Sequence, residues 1–457
     1  MAVYDLVIKN GLIVTEHGCF QGDVALSGET IAAIGQGLVG LREIPAEGKL
    51  VLPGGIDIHT HMALPVAGTC SSDDFYTGTI AAACGGITTI ADFTVGSPDT
   101  TLQRDLETKM ELARDAVVDY TLHCEIVGWH NSRIDEMRDV NLHGVGSFKF
   151  FTAYGDSGRR TDNGSLFEAL RVISSLGGVA FIHAEDDEII GRLEKRLSKE
   201  EWGEMKSLLK TRPDICEGLA ISTVSWLGRQ TGARIHIVHL SSALGLEEVI
   251  RARRWGTRIS TETCPQYLML TKEVYGRSDG HLFSASPSLK TEHDRISLWK
   301  GLLDGDIDLI ATDHCPFTIE QKKWRGSFKT LPYGLPGVET SRTLLYSEGV
   351  RKQGLSLSDF VRLTSGAPAR LMGLFPRKGI LAPGADGDVV IFDPEKKWVV
   401  SAADLHMAVN FSPYEGFPVV GKTWCTISRG EIIVENCEYM GMKKRGHFLQ
   451  NKRETGV

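Results

Sequence analysis

GGIDIHTH, residues 54–61, is the stretch on which the fold turns. Two glycines open a short apolar run, Ile56 and Ile58 alternate with polar residues, and the run stops at two histidines two positions apart. Short runs of this kind read as strands. Seven more follow: 87–93 (ITTIADF), 119–127 (DYTLHCEIV), 145–153 (VGSFKFFTA), 178–185 (GVAFIHAE), 234–241 (RIHIVHLS), 257–263 (TRISTET) and 307–314 (IDLIATDH). Helical patterning separates most of them; Ser72 to Cys84 is one such segment, stopped by Gly85-Gly86. Eight β runs joined by crossovers predict an α/β architecture, a (β/α)8 barrel. An open doubly wound sheet is the competing arrangement, and no GxGxxG or Walker A loop argues for a nucleotide-binding version of it.

Outward from the barrel the texture changes. Residues 4–14, 22–34 and 43–51 read as short strands between Gly and Glu turns, and 387–393 (GDVVIFD), 397–400, 423–428 and 431–435 repeat the pattern at the other end. Of the 457 residues 42% are apolar and 24% charged, which suits a globular chain and excludes disorder, collagen-like repeats and coiled coil. A net charge of −8 without a basic block excludes a nucleic-acid partner. No apolar run reaches the ~18 residues of a membrane span. The first residues, MAVYDLVIKNGLIV, lack the charged-then-apolar layout of an export signal. Nine scattered cysteines with no CxxC pair point to a reducing cytoplasm rather than a disulfide framework.

The polar residues at the strand ends carry the chemistry. Residues i and i+2 of a strand face the same way, so His59 and His61 can present two imidazoles to one metal ion; alone, such a pair is usually a solvated or hydrogen-bonded one. His183 follows VAFI, His239 follows IHIV and Asp313 follows LIAT. All sit where barrel enzymes place their catalytic groups, at the C-terminal mouth. Lys149 lies between Phe148 and Phe150. Burial there depresses a lysine pKa and frees an amine able to take up carbon dioxide as a carbamate. The competing reading is a lysine whose head reaches solvent.

GGIDIHTH, SFKFFTAY, FIHAE, IVHLS, ETCPQYL and ATDHCPF together resemble the cyclic amidohydrolases, and within them the hydantoinase/dihydropyrimidinase family, the phenylhydantoinase-like enzymes most of all. GADGDVVIFDP (384–394) and SPYEGFPVVG (412–421) extend the resemblance over nearly the whole chain. It implies a catalytic barrel over 53–375 and a small β-sandwich built from both chain ends, 1–52 and 376–457. It also implies a binuclear zinc site. His59, His61 and Asp313 would hold one Zn2+, His183 and His239 the other, with a carbamylated Lys149 and a hydroxide between them. Tyr154 would donate to the substrate carbonyl, Ser286 would contact the substrate, and Asp313 would carry the proton as general base and then acid.

Two motifs depart from the family pattern. Pro287-Ser288-Leu289-Lys290 stands where Pro-Pro-Leu-Arg is common, and Tyr333 stands where Asn is common. If the second contact is made by the backbone the change matters little; if by the side chain, it shifts substrate choice.

The expected reaction is hydrolysis of the cyclic amide bond of small molecules, 5-monosubstituted hydantoins and 5,6-dihydropyrimidines, to N-carbamoyl amino acids or ureido acids. Dihydroorotases usually carry an Arg just after HxH, whereas here the apolar Met62-Ala63-Leu64-Pro65 follows. Allantoinase is the alternative activity and a non-enzymatic scaffold the alternative class. Leu64, Phe93 and Phe151 are expected to line the pocket for the ring substituent. The resemblance implies a homotetramer, with 436–457 as a contact arm unless that basic tail is a solvated end.

Overall fold

The structure, a computed structural model, describes residues 3–451. All eight β runs form strands: Gly55–Thr60, Ile87–Phe93, Asp119–Glu125, Ser147–Phe151, Val179–His183, Arg234–Ile237, Ile259–Thr263 and Leu309–Ile310. They are parallel, each beside the next in chain order, and a parallel bridge between Thr60 and His314 joins the last to the first. The result is the (β/α)8 barrel. Helices cover its outer face, so its strands are buried on both faces, Ile87–Phe93 without a single exposed residue. The helix read from 72–84 runs from Phe75 to Cys84, with the Asp74 side chain capping its first turn and Gly85 at its end.

Several strands stop short of the runs read from sequence. The sixth ends at Ile237 and the eighth at Ile310, which leaves His239 and Asp313 on the loops beyond them. Parallel pairing needs extended backbone, and both residues have left-handed conformations, φ +38° and +51°.

Both chain ends build one nine-stranded sheet, in which Leu50–Pro53 pairs with Val3–Thr15 on one side and with Val389–Val399 on the other. The run read as 22–34 is two strands, Gly18–Ser27 and Thr30–Gly35, and the run read as 43–51 is likewise divided, into Val39–Pro45 and Leu50–Pro53. Leu6, Ile8, Val24 and Leu26 share a buried apolar cluster with Val389, Ile391 and Ile427, so the two ends are held by a common core of their own.

At the N-terminal end of the barrel, buried charges join the two parts. Lys378 is paired with Asp119 at 2.6 Å, Asp388 at 2.8 Å and Asp386 at 2.9 Å, and Arg429 adds a contact to Asp119 at 3.1 Å. Residues 446–451 of the tail expected to act as a contact arm pack here against their own barrel. Phe448 bridges to Tyr120, Leu449 joins the apolar cluster inside the barrel, and Asn451 donates to Leu122 O and Ser147 Oγ. Residues 452–457, the end of the expected arm, lie outside the described residues. No helix among the described residues is long and apolar enough to cross a membrane.

Candidate metal centre

The opposite end of the barrel gathers the strand-end residues. His59 Nε2 lies 3.2 Å and His61 Nε2 3.1 Å from the same carboxylate oxygen, Oδ1 of Asp313. His183 Nδ1 and His239 Nε2 are 3.0 Å apart, and the His59 and His239 ring centroids are 5.4 Å apart, so the two groups adjoin. Lys149 is 2% exposed, and its ammonium lies 5.1 Å from the Phe93 ring centroid and 5.0 Å from that of Phe151. Burial depresses its pKa to about 8, against the opposing pull of Asp313 and Glu262. The solvent-reaching reading of Lys149 is therefore wrong: its head is inside.

Tyr154 has φ +69°, the third left-handed residue of the site. Non-glycine residues adopt that conformation only where the surroundings enforce it, and such positions cluster at functional sites. Its phenol is 2.6 Å from Ser286 Oγ, which brings two predicted substrate contacts together. Burial raises the Tyr154 pKa, so the phenol keeps its proton. Tyr333 is only partly buried, and its phenol donates to Phe328 O within its own loop at 3.1 Å. Leu64 clusters with Cys315 and Phe317 in a small buried apolar group. Phe93 packs against His59 at 4.7 Å, His61 at 5.0 Å and His123 at 4.5 Å.

Two carboxylates that the sequence reading missed orient the histidines. Glu262, in the seventh strand, contacts Nδ1 of His59 through one oxygen and Nε2 of His236, at 3.1 Å, through the other. Holding Nδ1 leaves Nε2 of His59 to face Asp313. Glu185 does the corresponding work for His183, meeting its Nε2 at 2.9 Å while pairing with Arg212, and so leaves Nδ1 toward His239. The Arg212 guanidinium also lies 5.3 Å from the Tyr154 ring centroid. A carboxylate two residues past a strand-end histidine, as in HAE, was the available signal for Glu185. Glu262 carried only the weaker one of an acid inside a buried parallel strand.

These residues fit a divalent metal. Donor atoms of His59, His61 and Asp313 all lie within 4.8 Å of one another. His59 Nε2, His61 Nδ1 and His239 Nδ1 are buried without a well-formed hydrogen bond, a costly state for atoms whose chemistry is to bind a proton or a metal. The electrostatics also call for a cation. Burial would raise the Asp313 pKa, but His59 and His61 hold it well below the usual carboxylate range. Burial likewise disfavours the His59 imidazolium, yet Glu262 and Asp313 outweigh it and hold its pKa at about 9.

Comparison with known proteins agrees with this geometry. The model of the amidohydrolase family matches residues 50–433. The chain is 38% identical over 455 residues to a D-phenylhydantoinase of Escherichia coli O1:K1, covering 98% of both. Among solved structures, the dihydropyrimidinase of Brevibacillus agri NCHU1002 superimposes with a TM-score of 0.95 at 36% identity, covering 99% of each chain. The L-hydantoinase of Arthrobacter aurescens gives 0.90 at 30% identity, covering 98% of this chain and all of the other. A barrel with paired histidine clusters and an aspartate at its mouth, matched along its whole length, belongs to the hydantoinase/dihydropyrimidinase branch of the amidohydrolase family, the cyclic amide hydrolases.

Proposed function

We propose that the chain is a zinc-dependent hydrolase that opens 5-monosubstituted hydantoins and 5,6-dihydropyrimidines to N-carbamoyl amino acids and ureido acids. His59, His61 and Asp313 would hold one metal, and His183 and His239 a second, with Lys149 as a carbamate between them. When bound, such a pair supplies Lewis acidity and makes water acidic enough to ionise near neutral pH. Lys149 is suited to carbamylation because a depressed pKa leaves part of the amine unprotonated at neutral pH.

The protein's own groups do the rest. Asp313 is ionised at neutral pH and can accept the proton of the attacking water and return it to the leaving ring nitrogen. Tyr154, kept protonated and braced by Ser286, donates to the carbonyl oxygen as charge develops on it. The apolar Met62–Pro65 segment, with Leu64 packed on Cys315 and Phe317, suits an apolar ring substituent better than a carboxylate. The observation that carries this reading is the meeting of His59 and His61 on one oxygen of Asp313 at the barrel mouth.

The test is a panel of apolar 5-substituted hydantoins in both enantiomers, dihydrouracil, dihydroorotate and allantoin, with metal content measured alongside. Ring opening of a hydantoin or dihydrouracil is expected, with dihydroorotate poor because its carboxylate would be desolvated without a partner. Preference for dihydroorotate or allantoin overturns the substrate assignment. Full activity without metal overturns the mechanism.

We further propose the division 1–52, 53–375 and 376–457 as domains, and a cytoplasmic homotetramer. Ile215, Leu219 and Trp226 support assembly, because they are exposed on one face of the helix Asp214–Thr231. Sedimentation as a monomer at micromolar concentration would remove the oligomer.

A further inference from the structure

Away from the mouth, three segments distant in sequence meet around a second set of metal-ligating side chains. Cys84 is the last residue of the helix Phe75–Cys84. Gly85 follows it, and a Cβ there would lie 2.8 Å from Glu339 O and 2.9 Å from Glu339 Cα, so glycine is what lets the 338–339 backbone come this close. That approach sets the Glu339 carboxylate beside the Cys84 thiol. The C-terminal part of the chain then contributes His406, whose backbone N–H donates to Glu339 Oε2 at 2.7 Å and whose Nδ1 is 2.8 Å from Oε1. Donor atoms of all three residues lie within 4.8 Å of one another.

We propose that Cys84, Glu339 and His406 form a second metal site, distinct from the mouth, that takes a single divalent cation of the zinc type. The donor set argues the class of ion. A thiolate, an imidazole and a carboxylate suit Zn2+ or Co2+ and are poor for Mg2+ or Ca2+, which prefer oxygen alone. Burial argues the need for it. Cys84 is 8% and Glu339 9% exposed, and the cations acting on the Glu339 carboxylate are the His406 ring that pairs with it and Lys422. Burial and the neighbouring carboxylate both hold the Cys84 thiol in its neutral form; a divalent cation would displace that proton, and the thiolate and the Glu339 carboxylate together would balance its charge. The His406 side chain is 28% exposed, which provides an entry path and leaves room for a water ligand.

The site joins parts that matter to the mouth. Glu339 ends the 331–339 segment, whose Gly337 and Val338 N–H groups donate to His314 Nδ1, next to Asp313. A metal bound here ties that segment to the end of the first barrel helix and to the C-terminal part of the chain. It touches no group assigned to catalysis.

The full-length protein, stripped with a chelator and titrated with Co2+ alone, tests this. No proposed ligand at the mouth is a cysteine, so a thiolate-to-cobalt absorption band in the near ultraviolet reports the second site only. The expected result is a band whose full intensity corresponds to one thiolate-bound cobalt per chain, reached within the three cobalt ions that the mouth and this site together would hold. The band is absent in Cys84→Ala, weakened in Glu339→Gln and His406→Ala, and kept in Cys437→Ser. Cys84→Ala should also bind one metal fewer than wild type, with hydantoin hydrolysis within a few-fold. No band in the wild-type protein, a band that survives Cys84→Ala, or equal metal content in the two overturns the proposal. If Cys84→Ala fails to fold, Glu339→Gln and His406→Ala carry the assignment, and an unchanged band in both overturns the proposal. Loss of hydrolytic activity does not bear on it, so this site and the proposed function stand or fall separately.

Discussion

The two ends of the barrel are both buried and both charged, yet they are built on opposite principles. At the N-terminal end Lys378 meets three carboxylates, and Arg429 shares Asp119 with it. Burial would depress the Lys378 pKa, but Asp388, Asp119 and Asp386 outweigh it and hold it above the ordinary value. At the mouth Lys149 is equally buried, its pKa is depressed, and it sits between two aromatic rings. Three histidine nitrogens there lack a well-formed hydrogen bond, and three residues have strained backbones. Charges satisfied by their neighbours hold a fold together. Charges left unsatisfied are affordable only where a ligand completes them. One end of the barrel is therefore built to stabilise, and the other has the character expected of a site that takes a ligand.

Substitutions at the two ends should separate these roles. The largest effect is expected from Asp313→Asn. Asn keeps the shape but cannot take a proton, so kcat should fall by roughly 10²–10⁴-fold with the fold intact. Near-normal kcat at full metal content would take the proton-transfer role away from Asp313.

Lys378→Met probes the other end. Breaking a buried ion pair leaves carboxylates uncompensated and should cost about 3–5 kcal/mol of stability in denaturant titration, with kcat per folded molecule unchanged. The same network makes an acid limit. Burial raises the Asp119 pKa, but Lys378 and Arg429 overcome it and lower it below 3.8, its ordinary value. Its contribution to stability is therefore present above that value and is lost as pH falls through the lower folded pKa. A Lys378→Met protein as stable as wild type would dissolve the contrast between the ends.

Tyr154→Phe should lose roughly 10²–10³ in kcat/KM, the usual worth of one oxyanion donor, with the melting temperature little changed. Activity within a few-fold of wild type would make Tyr154 a packing residue.

The smallest effect is the sharpest comparison, because it repeats Lys→Met at the mouth. In metal-free protein Lys149→Met should raise stability by about 1–3 kcal/mol, the opposite sign to Lys378→Met. The folded pKa, about 8, is below the ordinary 10.5, so the cost of burying the charge is fully present below pH 8. It is relieved as pH rises from about 8 to 10.5, and the advantage of the mutant should close over that window. Activity and much of the metal should vanish in the same mutant. Retention of both would leave a single-metal site.

The amino-acid sequence by itself determined the barrel, because eight short β-rich runs separated mostly by helical stretches are legible in it, the alternation a parallel barrel requires. It also placed His183, His239 and Asp313 at the strand ends, since each interrupts an apolar run, and it marked Lys149 as a charge among phenylalanines. Local pattern could reach no further, because the remaining features depend on contacts between distant segments. Glu262 meets His59 across 203 positions, and only barrel closure brings them together. The left-handed conformations of Tyr154, His239 and Asp313 are imposed by packing against residue preference. The basic tail looked like a free arm because its charges are local, whereas Leu449 and Asn451 find their partners only on the assembled barrel. Periodicity records which face of an element must be buried; which polar groups then meet is decided by tertiary structure, because each pairing depends on the position of every strand between them.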